Sequence, residues 1–449
     1  MNVAILGTGY VGLVSGVCLA AKGHDVKCVD HNLDIINNLM VGKASIYEPG
    51  LPEMLQEVID SGMFSATSDL NKALNKTDIV IIAVGTPSID GEINLKYILT
   101  AVRQIAEFIK HETRHISIVI KSTVIPGTTD TIIKKTLENI SGKKSSEFGL
   151  GMNPEFLREG KAISDFMNPD RIILGYEDVK TLTRLKELYS PWPVDKLEVN
   201  TRTAELTKYA NNTILATQIS AVNEIANLAA VIGDIDIMDV LQGVHLDKRW
   251  NPYSDDNSKR VWPDIISYLK PGCGFGGSCF PKDIQALRSQ GIALGLKMSL
   301  LNGVLEVNQE QPKQVGAILK KQIGDLKNTR VLVLGLAFKP ETDDVRESAS
   351  IVIIDDLLRR GCEVLAHDPI ACDNFRSIIN EQASDIEFVE KWQEFISQSE
   401  VIIISTKWLD YQSLRSLKLK GKIIFDARRM FSPKDFPESI YLSIDYKTK

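Results

Sequence analysis

Residues 272–283 hold the densest set of groups able to do chemistry: Gly272, Gly274, Gly276 and Gly277, then Cys279, Lys282 and Asp283. Closely spaced glycines let a backbone approach a ligand without a side chain in the way. A thiol becomes a useful nucleophile where cations or a helix N-terminus favour its thiolate. The segment therefore offers a cradle, a thiol, a cation and a carboxylate together. This set suits covalent attack on a carbonyl carbon.

A second group lies at the N-terminus. Residues 3–6 read as a buried strand, Gly7-Thr8-Gly9-Tyr10-Val11-Gly12 follows, and an apolar helical run continues to Ala21. Residues 25–29 form the next strand, and Asp30 stands 18 positions after Gly12. A G-x-G-x-x-G alone would be a weak signal, and in another α/β protein it would only make a turn. Here it sits between strand and helix, with an acid at the right distance. Gly7, Gly9 and Gly12 allow a tight turn and bring a pyrophosphate to a helix N-terminus. Asp30 would accept hydrogen bonds from the adenosine ribose, and its charge repels a 2′-phosphate, so NAD is expected over NADP. Joined to Cys279, the fingerprint points to redox chemistry through a thioester. The run 3–21 is apolar, but its first lysine is Lys22 and glycines interrupt it. It reads as neither a signal peptide nor a span, and no other stretch reads as long and apolar enough to cross a membrane.

Strands must carry these groups. Residues 78–84 lead into Gly85-Thr86-Pro87, 117–120 into Lys121-Ser122-Thr123, and 149–152 into Asn153-Pro154-Glu155. The pattern returns with strands at 331–335, 363–366, 401–405 and 422–425 and a helix at 350–360. Alternating strands and helices predict an α/β fold of two Rossmann-like, doubly wound parallel-sheet domains. The second lacks the glycine fingerprint and is expected to hold something other than NAD. A long central helix joins them: residues 201–232 contain neither Gly nor Pro and would span roughly 48 Å. Glu205, Lys208 and Asn212 share one face of it; taken alone, that face reads as solvated, with a Glu–Lys pair. The expected division is a cofactor domain at 1–200, a helical part with the catalytic loop and dimer interface at 201–315, and a C-terminal domain at 316–449.

A chain of 449 residues that is 44% hydrophobic and 24% charged suits a multidomain globular protein. Its net charge of −6, with no basic tract, makes nucleic acid an unexpected partner. The six cysteines form no C-x-x-C, and no His/Cys cluster has zinc spacing, so no metal is expected. Cys18, Cys28 and Cys362 fall in apolar settings that read as packing. This usage fits the cytoplasm.

These motifs together resemble the UDP-glucose/GDP-mannose dehydrogenase family, and the resemblance runs from end to end. Its elements are residues 7–13, Val84-Gly85-Thr86-Pro87, Lys121-Ser122-Thr123, residues 153–160 (Asn-Pro-Glu-Phe-Leu-Arg-Glu-Gly), Ala204-Glu205-Leu206 with Lys208 and Asn212, residues 276–283, Ala337-Phe338-Lys339-Pro340, Thr342-Asp343-Asp344 and Arg346-Glu347-Ser348. The resemblance implies a four-electron oxidation of a nucleotide-linked hexose at C6, from alcohol to carboxylate, with two NAD; UDP-glucose is the expected substrate. It assigns Cys279 as nucleophile, Asp283 as first base, Lys208 and Asn212 as oxyanion stabilisers, and Glu155 and Thr123 as holders of the hydrolytic water. Around NAD it places Gly7, Gly9, Tyr10, Val11, Gly12, Asp30, Thr86, Thr123, Glu159 and Arg346. Around the sugar nucleotide, in a cleft between domains, it places Phe156, Leu157, Lys208, Asn212, Phe275, Gly276, Phe338, Lys339 and Arg428. A homodimer through the long helix is implied. Structural alternatives stand beside two of these roles: Thr123 as a strand end and Glu155 as a helix N-terminal acid.

The chain departs from the family in places. Ile35 stands where many relatives carry an arginine for the adenosine phosphate. Residues 245–266 look long, and whether Arg249 or Arg260 enters a partner's site is open. Cys273 reads as a packing residue, with a regulatory disulfide as the alternative. Lys282 beside Cys279 either supplies charge or points away onto backbone. GDP-mannose or a UDP-N-acetylhexosamine are alternative substrates. A two-electron 3-hydroxy acid dehydrogenase and a non-catalytic NAD sensor are alternative classes; Cys279 opposes the first, and the full set of catalytic residue types opposes both.

Overall fold

The computed structural model describes residues 1–446, which divide into two compact units, one ending at Asn211 and one beginning at Asn212. In the first unit the strands are β1 (Asn2–Leu6), β2 (Asp25–Val29), β3 (Phe64–Thr67), β4 (Ile79–Ile82), the hairpin β5 (Ser88–Ile89) and β6 (Glu92–Ile93), then β7 (Ser117–Ile120), β8 (Gly149–Met152), β9 (Ile172–Tyr176) and β10 (Lys196–Val199). The main sheet has the order β10-β9-β8-β7-β4-β1-β2-β3. β1, β4, β7 and β8 are buried along their whole length or nearly so, because helices cover both faces of a parallel sheet. Alternation sorts their side chains. Val3, Ile5, Ile79 and Ile81 join Leu13, Val14 and Val17 of the first helix on one face. Ala4, Leu6, Val80 and Ile82 join Ile98, Val102 and Ile105 on the other.

The expected all-parallel sheet holds from β3 to β8 and then reverses. β9 runs antiparallel to β8, and β10 follows β9 in parallel. The reversal brings two backbones together at small residues. A Cβ on Gly175 would lie 2.8 Å from the Met152 carbonyl oxygen and 2.7 Å from the Ala204 Cβ.

The second unit has a six-stranded, wholly parallel sheet: β11 (Arg330–Leu334), β12 (Glu363–His367), β13 (Ile386–Phe388), β14 (Val401–Ile404), β15 (Ile423–Asp426) and β16 (Ile440–Leu442), in the order β13-β12-β11-β14-β15-β16. Counted within the unit this is 3-2-1-4-5-6, the order of the Rossmann sheet. Such sheets bind ligands beyond the carboxyl ends of the strands, where the order reverses. Here that point lies between β11 and β14. Gly335 closes β11 at φ +100°, and a Cβ there would meet the Thr406 nitrogen at 2.6 Å, so only glycine lets the two turns pass. Phe338, Lys339 and Arg428 stand on the loops that follow β11 and β15.

The long helix spans Thr201–Ile232, as its lack of Gly and Pro predicts. Contrary to expectation, this helix is by length and composition apolar enough to cross a membrane. Its polar residues give the stronger signal. Glu205 and Asn223 are buried and accept backbone N–H groups of Thr129 and Gly272 respectively. A lipid surrounding supplies no such donors. The solvated reading of its polar face fails too, because Glu205, Lys208 and Asn212 are all buried.

Candidate active site

The dinucleotide turn is built by contact. A Cβ on Gly7, at φ +97°, would lie 2.9 Å from the Ala83 carbonyl oxygen, and one on Gly12 would lie 1.9 Å from the Gly7 carbonyl oxygen. Both glycines therefore serve close packing of strand and helix. Gly9, at the helix start, faces open space instead, with nothing within 4 Å of a Cβ. That opening at a helix N-terminus fits a pyrophosphate. Asp30 accepts from the Thr8 hydroxyl (2.6 Å), the Thr8 amide (3.1 Å) and the Asn32 amide (3.0 Å). Burial raises its carboxyl pKa, but those bonds outweigh burial and hold it below the usual value, so Asp30 is ionised at neutral pH. An open helix start at Gly9 and an ionised carboxylate at Asp30 are features that fit NAD. Thr86 follows β4, on whose turn Ser122 Oγ donates to the Val84 carbonyl at 2.6 Å.

Glu155, Phe156, Leu157 and Glu159 lie on the segment after β8, with Lys208 in the first unit's part of the long helix. Lys208 Nζ donates to Glu155 Oε1 at 2.8 Å, and the Leu157 amide donates to Oε2 at 2.7 Å. Burial is the largest influence and pushes the Glu155 carboxyl up, yet the Lys208 charge and hydrogen bond, the Leu157 amide and the Lys121 charge together outweigh it and the net shift is down. The structure therefore makes Glu155 the partner of a buried ammonium. Phe156 lies under the Arg171 guanidinium, 3.9 Å from ring centre, and 5.5 Å from Lys208 Nζ. Behind them Lys121, before Thr123, donates to Asn153 Oδ1 at 2.8 Å. Burial lowers Lys121 to about 8. Lys121 and Asn153 are supports that their motifs, Lys121-Ser122-Thr123 and Asn153-Pro154-Glu155, do not by themselves reveal.

Glu205 accepts from the amides of Gly127 (2.5 Å) and Thr129 (2.9 Å), pinning the turn that follows Thr123. Burial raises its carboxyl to about 7, against the opposing effect of those bonds. A carboxyl raised in the folded state stabilises most below its unfolded value, about 4.5, and that contribution is lost as pH rises through about 7. The loss amounts to roughly 3 kcal/mol. Thermal midpoints of the parent should therefore fall between pH 5 and pH 8 more steeply than those of Glu205→Gln; parallel curves would rule this out.

In the second unit Cys279 is the residue at which the helix Phe280–Ala293 begins, an end that favours negative charge. One turn on, buried Asp283 accepts from Asn212 Nδ2 at 2.7 Å and from Lys282 Nζ at 2.6 Å. Lys282 thus turns to the carboxylate rather than away. The loop before it is fixed at each end. The Gly272 amide donates to Asn223 Oδ1 at 2.9 Å, and Asn308 clamps Phe275 through both its amide and its carbonyl at 2.7 and 3.0 Å. Added Cβ atoms would collide with the Glu347 carbonyl oxygen at Gly276 (2.2 Å) and with the Phe338 ring at Gly277 (2.8 Å). Asn223 and Asn308 left no mark in the sequence, since nothing local distinguishes them from other helix asparagines.

Arg428 donates to the carbonyls of Gly274 (2.9 Å) and Ser405 (2.8 Å), so it braces the glycine loop. Lys339 Nζ stands 5.6 Å from the Phe338 ring centre. Arg346 is exposed and forms a bidentate pair with Asp344 at 2.8 and 2.7 Å. Arg249 pairs with Asp247, and Arg260 packs on Tyr253 at 4.6 Å. Ile35 lies on the helix Leu33–Met40, packed against the core. Cys273 is buried in the core of the C-terminal sheet, which pushes its thiol up to about 11. All six cysteines are free, and no metal-binding cluster occurs among the described residues.

Models of the UDP-glucose/GDP-mannose dehydrogenase family match the chain in three parts: the NAD binding domain over residues 1–193, the central domain over 202–310 and the UDP binding domain over 332–433. UDP-glucose 6-dehydrogenase AglM of Haloferax volcanii is 36% identical over 446 residues, covering 97% of this chain and 98% of the relative. UDP-glucose 6-dehydrogenase YwqF of Bacillus subtilis is 36% identical over 455 residues, covering 99% and 97%. The solved UDP-glucose dehydrogenase of Pyrobaculum islandicum superposes with a TM-score of 0.89 at 38% identity, covering 99% of this chain and 97% of that one.

Proposed function

The chain belongs to the UDP-glucose/GDP-mannose dehydrogenase family, and on that premise we propose that it oxidises the C6 alcohol of UDP-glucose to the carboxylate of UDP-glucuronate. It is an NAD-dependent nucleotide-sugar dehydrogenase. NAD, when bound, supplies the hydride acceptor at each of the two oxidation stages. Asp283, directly or through a water, takes the hydroxyl proton as the alcohol becomes an aldehyde. The Cys279 sulfur then adds to the aldehyde carbon, forming a thiohemiacetal whose oxygen is stabilised by Lys208 and Asn212, four residues apart on one helix. Its oxidation leaves a thioester. Water held by Thr123 and Glu155 adds to that carbonyl, Glu155 takes its proton, and the thiolate of Cys279 departs. Covalent attachment keeps the aldehyde from escaping between the two stages.

The observation that carries this reading is Cys279 at a helix start, one turn from a buried carboxylate already bonded to Asn212. A plain alcohol dehydrogenase needs no such thiol. We assign residues 1–200 to the cofactor, 201–315 to the catalytic loop and dimer contact, and 316–449 to the sugar nucleotide. There Phe338 is a proposed substrate contact, and the cations Lys339 and Arg428 suit a dianionic diphosphate linker. The cysteine usage supports a cytoplasmic setting. The deciding experiment offers UDP-glucose, GDP-mannose and UDP-N-acetylhexosamines with NAD or NADP and counts reduced cofactor per sugar. Two NADH from UDP-glucose are expected, with NADP turnover at least about a hundredfold lower because Asp30 repels the 2′-phosphate. One NADH per sugar would point to a two-electron enzyme, and comparable use of NADP would overturn the role of Asp30.

The long helix supports a homodimer. Ile214, Ile225, Leu228 and Ile232 are exposed along one face of it, a surface that self-association along a two-fold axis would cover. Light scattering should give about twice the 49.8 kDa chain mass; a monomer that keeps full activity would exclude this arrangement.

A further inference from the structure

Glu48 has no role in the chemistry above, yet its buried carboxylate holds together two pieces of the cofactor and catalytic machinery. Tyr10, the first residue of the helix after the glycine turn, donates its hydroxyl to Glu48 Oε2. The Gly160 amide donates to the same oxygen at 2.8 Å and also lies 2.9 Å from the Tyr10 oxygen. The Ala162 amide donates to Oε1 at 2.7 Å. Glu48 stands on the loop between the helices Leu33–Met40 and Leu51–Asp60, remote in sequence from both partners. Gly160 ends the segment that carries Glu155 and Glu159. That segment has a second anchor, because Arg158 forks onto Asp165 at 3.0 and 2.6 Å.

From this junction we infer that Glu48 is a positioning residue that couples the dinucleotide turn to the segment 153–160. The inference rests on the proposed two-stage reaction, in which cofactor must be exchanged while the sugar waits on Cys279. Each exchange empties and refills the turn next to Tyr10. Through Glu48, that movement reaches the strand of chain bearing the hydrolytic carboxylate. A carboxylate is suited to this task because it accepts on both oxygens. Glutamine is not: its amide keeps one acceptor and sets a donor against either Gly160 or Ala162. Alanine would leave the Ala162 amide buried and unsatisfied and the Gly160 amide with the Tyr10 oxygen alone.

Three variants test the coupling: Glu48→Gln, Tyr10→Phe and the two combined. Calorimetric titration of NAD into substrate-free protein needs no catalysis. Both single variants should bind NAD about tenfold more weakly, and the double variant no more weakly than Glu48→Gln alone, since both cut one connection. During turnover with UDP-glucose, Glu48→Gln should lose roughly tenfold to a hundredfold in kcat, as misplacement of a reacting group does. A sugar adduct on Cys279 should then accumulate, visible as added mass on the intact protein. Tyr10→Phe leaves Gly160 held by Glu48 and should show no such adduct. A loss of fold alone would lower the amount of active protein without changing the adduct on each active chain. Wild-type NAD affinity in Tyr10→Phe, or additive losses in the double variant, would overturn the coupling. Cys279→Ser is run in parallel. If that variant forms the acid at the normal rate, the thioester reading fails, and the NAD titrations alone decide on Glu48.

Discussion

Cys279→Ser should lower formation of the sugar acid by at least about a thousandfold, the scale on which loss of a nucleophile acts. Serine keeps the size of the side chain but is a poorer nucleophile, and its alkoxide is a poorer leaving group. The first oxidation does not use the thiol and should survive slowly. An adduct or a slowly hydrolysed ester should then appear as added mass on the protein. Cys273→Ser is the control: Cys273 lies in the core of the C-terminal sheet with its thiol pushed up to about 11 by burial, so two NADH per sugar should remain. Acid formed at a near-normal rate by Cys279→Ser would replace the covalent route with oxidation of a hydrated aldehyde, using Asp283 or Glu155 as base.

Lys208→Ala should cost about a hundredfold to a thousandfold in kcat, the range for loss of one oxyanion-stabilising donor. It has a second consequence that is independent of the chemistry. Lys208 and Glu155 are both buried and meet at 2.8 Å. With the cation present, the Glu155 carboxyl titrates below its usual range despite burial. A depressed carboxyl stabilises the fold above its unfolded pKa, and that contribution is lost as pH falls through the folded value. Removing Lys208 leaves burial as the dominant influence, so Glu155 should titrate upward and the acid limb of the pH–rate profile should move to higher pH. Breaking a buried pair from one side costs about 3–5 kcal/mol, so the thermal midpoint should fall as well. An unchanged acid limb, with wild-type turnover, would remove both Lys208 and Glu155 from the proposed roles.

Much of the cofactor half could be read locally. The turn Gly7 to Gly12 and its acid Asp30 are one continuous βαβ unit, and local spacing is enough to specify it. The strands β1, β2, β7 and β8 and the long helix fall where apolar runs and the absence of Gly and Pro place them. The thiol, cation and carboxylate of Cys279, Lys282 and Asp283 were legible too, whereas the helix that begins there came from the structure.

Other features depend on residues far apart in the chain. The reversal at β9 was missed because strand direction leaves no trace in a short apolar run; it is decided by how the chain returns and by the glycine contact at Gly175. Spacing put Glu205 and Lys208 on one helix face, but burial gave each a distant partner, Gly127 and Thr129 for the carboxylate and Glu155 for the ammonium. Glu48 looked like any acid on a loop until packing enclosed it with Tyr10 and Gly160. Which chemical groups are present, and how each is presented over one or two turns of chain, follows from the amino-acid order alone, because propensity and periodicity act over that range. Which buried charge meets which partner was settled by the folded chain, because desolvation forces each charge to find one and the choice is made by contacts between residues far apart in sequence, such as Glu48 and Ala162, 114 positions apart.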